Sequence, residues 1–75
     1  MASGFWNQVK GNWKQFVGAA QEKWGKITEN ELAEIRGDRK QLIGKVQERY
    51  GIAKQEAERE VDDWADRMNY KMNNT

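Results

Sequence analysis

The stretch from Lys10 to Gly25 is used twice. Lys10-Gly11-Asn12-Trp13-Lys14-Gln15-Phe16-Val17-Gly18-Ala19-Ala20-Gln21-Glu22-Lys23-Trp24-Gly25 returns, at an offset of 26 residues, as Arg36-Gly37-Asp38-Arg39-Lys40-Gln41-Leu42-Ile43-Gly44-Lys45-Val46-Gln47-Glu48-Arg49-Tyr50-Gly51. Seven aligned positions are identical, and Phe16/Leu42, Val17/Ile43, Lys23/Arg49 and Trp24/Tyr50 exchange like for like. Each copy of such a repeat is one supersecondary unit whose apolar face stays uncovered until its neighbour packs on it. The repeat therefore predicts two related helical units folded against each other.

Composition narrows the options further. Seventy-five residues lie near the lower limit for a single core without staples. Cysteine and histidine are both absent, which excludes disulfides, thiolate metal sites and imidazole ligation. Stability must come from packing, for which four Trp, two Phe and two Tyr are a large apolar supply. Thirteen basic and twelve acidic residues are interleaved and give a net charge of +1. That pattern is a solvated, ion-paired surface rather than the one-sided charge of a strong nucleic-acid binder. No apolar run approaches the ~20 residues of a membrane span. The N-terminus lacks the basic-then-apolar layout of a signal peptide, so a cytoplasmic product is expected.

Proline is absent and apolar residues recur at helical spacing, which predicts an all-α fold. Ser3 is the expected N-cap of a first helix whose stripe is Val9, Trp13, Phe16, Ala20 and Trp24, widened by Trp6 and Val17. Gly25 is expected to end it as a left-handed C-cap. Thr28 caps a short second helix, with Glu31 closing a capping box, Ile27 stapling to Leu32, and Ile35 as its other anchor. Gly37 stops that helix. Asp38 and Gln41 offer a second cap-and-box for a third helix carrying Leu42, Ile43, Val46 and Tyr50, ended by Gly51. Ile52 is placed to staple to Ala57, but Ala53 is a poor cap. Ala57, Val61, Trp64 and Met68 form the last stripe. The domain is read as residues 1–68, with 69–75 a polar tail expected to fray.

The glycines add a constraint. Gly11 and Gly18, like Gly37 and Gly44, are seven residues apart and share a helix side. A mid-helix glycine costs about 1 kcal/mol relative to Ala, so close approach of another helix or a Trp is expected there. Gly11-Asn12 and Gly37-Asp38 each pair a glycine with a capping residue and could instead be breaks. The preferred reading is a break at Gly37 and a continuous helix through Gly11. The expected architecture is a four-helix domain of two repeated αα-hairpins packed crosswise, and a monomer.

These residues also carry a family likeness. Gly11-Asn12-Trp13-Lys14-Gln15-Phe16, Trp24-Gly25-Lys26-Ile27-Thr28, the run from Gln41 to Gly51, and Val61-Asp62-Asp63-Trp64 resemble the CsbD-like family of small bacterial general-stress proteins. The resemblance spans roughly Phe5 to Trp64. It implies a cytoplasmic, all-α, stress-induced protein, and it brings no activity, cofactor or catalytic residue with it. Where relatives often carry lysines, this chain has Val17, Ala19, Ala20 and Gln21.

Candidate chemistry is sparse. A nucleophile would have to be Ser3 or Thr28, and both read better as caps, so no enzyme is expected. Asp62, Asp63 and Asp66 could loosely hold a hard cation, but a solvated helix face is the better reading. Trp6, Trp13, Trp24, Tyr50 and Trp64 could stack on single-stranded nucleic acid. Their spacing favours core instead, with Trp6 and Trp24 the most exposed of the set. The alternative function weighed most closely is weak, sequence-independent DNA binding through two glycine hairpins. Its contacts would be Lys23, Gly25, Lys26, Arg49, Gly51 and Lys54. The favoured reading is a non-enzymatic, cofactor-free stress-response protein with a protective or binding role and an unspecified partner.

Overall fold

Asn12 divides what the apolar stripe presents as one helix. In the computed structural model, which describes residues 3–73, α1 spans Ser3–Gly11 and α2 spans Trp13–Lys23. Asn12 leaves helical geometry at φ −125° and ψ 30°. Its N–H is shared between the carbonyls of Gln8 (3.0 Å) and Val9 (3.2 Å), while Gln15 N–H bonds back to Asn12 O at 2.9 Å. The Asn12 side-chain amide donates to Gln8 O at 3.2 Å, competing with the backbone for the same acceptor. The expected continuity through Gly11 is therefore corrected to a bend. Its local cause is a weak helix former followed by a residue that satisfies its own turn. The cap expected of Ser3 lies outside the described side chains.

The remaining helices are α3 (Glu29–Ile35), α4 (Arg39–Tyr50) and α5 (Lys54–Asn73). The described residues thus form five helices and no strand. Thr28 caps α3 with the full reciprocal box: Glu31 N–H donates to Thr28 Oγ1 (3.1 Å), and Thr28 N–H donates to Glu31 Oε1 (3.0 Å). Ile27 and Leu32, the expected staple pair, are both fully buried. Asp38 caps α4 by accepting from Lys40 and Gln41 N–H, without the reciprocal Gln41 bond that would complete a box. Gly51 ends α4 in the left-handed conformation (φ 61°, ψ 36°), as its position predicts.

Gly25 does not do the same for α2. Trp24 is the C-cap at φ −122° and ψ 78°, and Gly25 is not in the left-handed region. Trp24 N–H still reaches Ala20 O (2.8 Å), and Ile27 N–H then closes a turn onto Trp24 O (3.1 Å). The indole explains the departure. Trp24 is buried, and its Nε1 donates to Glu60 Oε1 on α5 at 3.0 Å, which draws the helix end toward α5.

Trp64 is the centre of the core. Its ring centroid lies 5.5 Å from Trp24, 6.2 Å from Phe16, 6.4 Å from Trp6 and 6.5 Å from Trp13. Phe5 extends the cluster edge-on to Phe16 at 5.7 Å. Trp6 and Trp24 were expected to reach water, and both are instead buried, at 6% and 1% exposure. Trp13 Nε1 donates to Leu32 O of α3 at 2.6 Å. The indole N–H groups of Trp6 and Trp64 are buried without an acceptor among the described residues. Beyond the aromatic cluster the core is aliphatic: Leu42, Ile43 and Val46 from α4 meet Ala57 and Val61 from α5. No polar or charged described residue is buried.

α2 packs chiefly on α3 and α4 on α5, while α1 touches both α2 and α5. The radius of gyration, 11.4 Å, is that of a fully compacted chain of this length, for which about 11 Å is expected.

The expected close approaches at glycine occur at one position. A Cβ at Gly11, Gly18 or Gly44 would meet no atom within 4 Å. At Gly37 it would lie 3.0 Å from Lys10 Cα and 3.2 Å from Val9 O. Gly37 (φ 80°) follows Arg36, itself left-handed at φ 58°, so the chain turns sharply there against the end of α1.

Candidate functional site

The hairpin at Gly25 meets the end of α4 beside Gly51. Lys26 N–H donates to Tyr50 Oη at 3.1 Å, and Lys26 Nζ lies 5.2 Å from the centre of the Tyr50 ring. This joins the loop after α2 to the end of α4. Lys23, Gly25, Lys26, Arg49, Gly51 and Lys54 are all exposed. Their charges are not equally available. Arg49 is ion-paired to Glu31, and Glu31 also attracts Lys45 Nζ at 3.6 Å, while Lys45 bonds Glu48 at 3.1 Å. With its carboxylate side chain only 15% exposed, Glu31 brings negative charge to this junction. Lys26 is drawn over an aromatic face. That leaves Lys23 and Lys54 as the cations of the set without an ion pair among the described residues.

The sequence places Glu31 in the capping box, in the first turn of α3 and beside the first hairpin, but gives no sign of its ion pairs with α4. A residue that caps one helix and pairs with two cations of another leaves no trace in helical periodicity, since the ion pairs span 14 and 18 positions.

The acidic residues of α5 divide similarly. Asp62 receives two bonds from Arg39, at 2.9 Å each, which tie α4 to α5. The hydrogen bond from Arg39 to Asp62 holds the guanidinium above its ordinary value; burial opposes this, and attraction to Asp62 and Glu58 adds to it. Asp63 and Asp66 are exposed. Among the described residues no three carboxylates converge on a point where a cation could sit. A stacking platform is removed by burial: all four Trp are inside, and Tyr50 is half-buried beneath Lys26.

A second surface was not singled out in the sequence. The bend between α1 and α2 opens a groove lined by Lys10, Gly11, Asn12, Trp13, Lys14, Gln15, Val17, Ala33 and Arg36. It holds three cations and no acidic residue. None of the three is in an ion pair among the described residues.

No described helix is long and apolar enough to cross a membrane. The sequence profile of the CsbD-like family matches residues 7–59. A UPF0337 protein of Rhodopseudomonas palustris is 59% identical over 59 residues, covering 79% of this chain and 89% of its own. A UPF0337 protein of Rhizobium meliloti is 58% identical over 65 residues, covering 87% and 94%. The UPF0337 protein YjbJ of Salmonella typhimurium is 52% identical over 65 residues, covering 87% and 93%.

Proposed function

Because this chain belongs to the CsbD-like family, we propose that it is a non-enzymatic, cytoplasmic protein of the bacterial general stress response. Its role on this reading is to associate with and protect other macromolecules, as a monomer and without a cofactor. One observation carries the reading: the separation of chemistries between inside and outside. The described core is wholly apolar, while the charged third of the chain lies at or near the surface. Such a surface, with both signs of charge interleaved, binds water strongly, as a protectant present in excess requires. The architecture that serves it is two αα-hairpins packed crosswise, a reading supported by the pairing of α2 with α3 and α4 with α5.

The test is protection through drying. A labile enzyme dried with an excess of this protein should recover more activity than with the same mass of albumin. Equal recovery with albumin would remove the protective role.

A further inference from the structure

We infer that the groove at the α1–α2 bend is a docking surface for duplex nucleic acid, contacted at its phosphates by Lys10, Lys14 and Arg36. This goes beyond the protective role and uses different residues from the loops.

The argument begins with how the three cations come together. Lys10 and Arg36 occupy the same position of the two repeat copies. They become neighbours because Gly37, lacking a Cβ, lets the backbone after α3 rest on Lys10 Cα and Val9 O. Lys14 follows Lys10 by four residues, across the bend at Asn12, and lines the same groove. All three are exposed and line one groove with no carboxylate in it. Like charges held close without counter-charges repel one another, and an anion of matching density relieves that repulsion.

The class of anion follows from what surrounds the charges. Duplex DNA presents about one negative charge per 1.7 Å of axis, a density that three clustered cations can engage together. Single strands are held largely by stacking on aromatic faces, and here Trp13 of the groove is 7% exposed, with its indole N–H committed to Leu32 O. A membrane surface would call for a large apolar face beside the cations, but of the groove's apolar side chains Trp13 is buried, Val17 is half-buried and only the small Ala33 is exposed, and the exposed large hydrophobic among the described residues, Tyr70, is on α5. Phosphate contacts carry no base readout, so binding is sequence-independent.

The test is fluorescence anisotropy of a labelled short duplex titrated with the full chain over a range of salt. The logarithm of affinity should fall with the logarithm of salt with a slope of about 2 to 3, from about 0.9 per phosphate neutralised. Lys10→Glu with Lys14→Glu should abolish binding, while the near-ultraviolet circular dichroism of the Trp cluster stays unchanged. Arg36→Gly separates binding from folding: it removes a cation and relieves a left-handed non-glycine residue. It should lower the slope by about one while raising the melting temperature. Absence of duplex binding by the native chain at low salt would overturn the inference. So would binding that survives the groove substitutions but is lost on Lys26→Glu with Lys54→Glu, which would place the contact at the loops. Groove-dependent binding to phosphatidylglycerol vesicles or polyglutamate, without binding to duplex, would overturn it as well.

Discussion

The two repeat copies begin from nearly the same sequence and do different work. Trp13 of the first copy is buried and bonded to Leu32 O, whereas its counterpart Arg39 is half-buried and paired with Asp62. Asn12 bends the chain without capping it, whereas Asp38 caps α4. Gly25 is not left-handed, and Gly51 is. Gly11 has open space where a Cβ would be, and Gly37 has the backbone of α1. The first copy holds the core by aromatic contact with Trp64, and the second by aliphatic packing with α5 and by polar tethers. The glycines are shared between the copies, so their different conformations come from what each one touches.

The largest break in that comparison is at Trp64. Its ring meets four aromatic side chains of the first copy and its N-terminal extension. Trp64→Ala should cost about 3–5 kcal/mol by urea denaturation, most of what a core this small supplies. A substitution in the aliphatic half, Ile43→Val, should cost about 0.5–1.5 kcal/mol and leave it folded. Equal costs would show that the core is not centred on the aromatic cluster.

Glycines in the turn and inside the helices of the repeat should respond with opposite signs. Gly37→Ala puts a Cβ at 3.0 Å from Lys10 Cα on a residue at φ 80°, so a loss of about 2 kcal/mol or more is expected. Gly18→Ala and Gly44→Ala meet no atom within 4 Å inside helices, and each should gain up to about 1 kcal/mol. Thermal denaturation of the three variants measures this. A stabilising Gly37→Ala would mean that the turn against α1 is not formed.

The cap positions give a smaller contrast. Asp38→Ala removes a side chain that accepts two backbone N–H bonds and should cost about 1 kcal/mol. Asn12→Ala removes only the bond back to Gln8 O and should cost a few tenths. Matched losses in chemical denaturation would show that Asn12 caps α2 after all.

What the sequence disclosed was whatever depends on neighbours along the chain. The box at Thr28 and Glu31, the cap at Asp38, the left-handed Gly51 and the apolar stripes of α4 and α5 all follow from spacing within a turn or two. Gly11-Asn12 and Gly37-Asp38 look alike over that range, and their difference is set by Lys10 resting on Gly37 across 27 positions. The same limit applies at Trp24, whose helix end is fixed by Glu60, 36 residues away. The cationic groove was hidden for this reason too: Arg36 joins Lys10 and Lys14 through a tertiary contact. The loop cations were easier to find because they flank glycines, but Glu31 stands beside them.

The smallest effect tests whether the polar tether of the second copy matters at all. Arg39 and Asp62 form a two-bond pair with side chains 36% and 44% exposed, so solvent screens much of their attraction. A double-mutant cycle of Arg39→Ala and Asp62→Ala should yield a coupling of about 0.5 kcal/mol, at the upper end near 1 because the geometry is bidentate. Salt should reduce it. Raising pH should not do so through Arg39 within the usual range. A raised guanidinium value means that its contribution is present below the unfolded value and is lost only as pH climbs through the still higher folded one. A coupling near zero would leave Arg39 as a solvated residue where the first copy has a core Trp. The second copy would then be held to α5 by its aliphatic face alone, and the contrast between the copies would sharpen to aromatic against aliphatic packing.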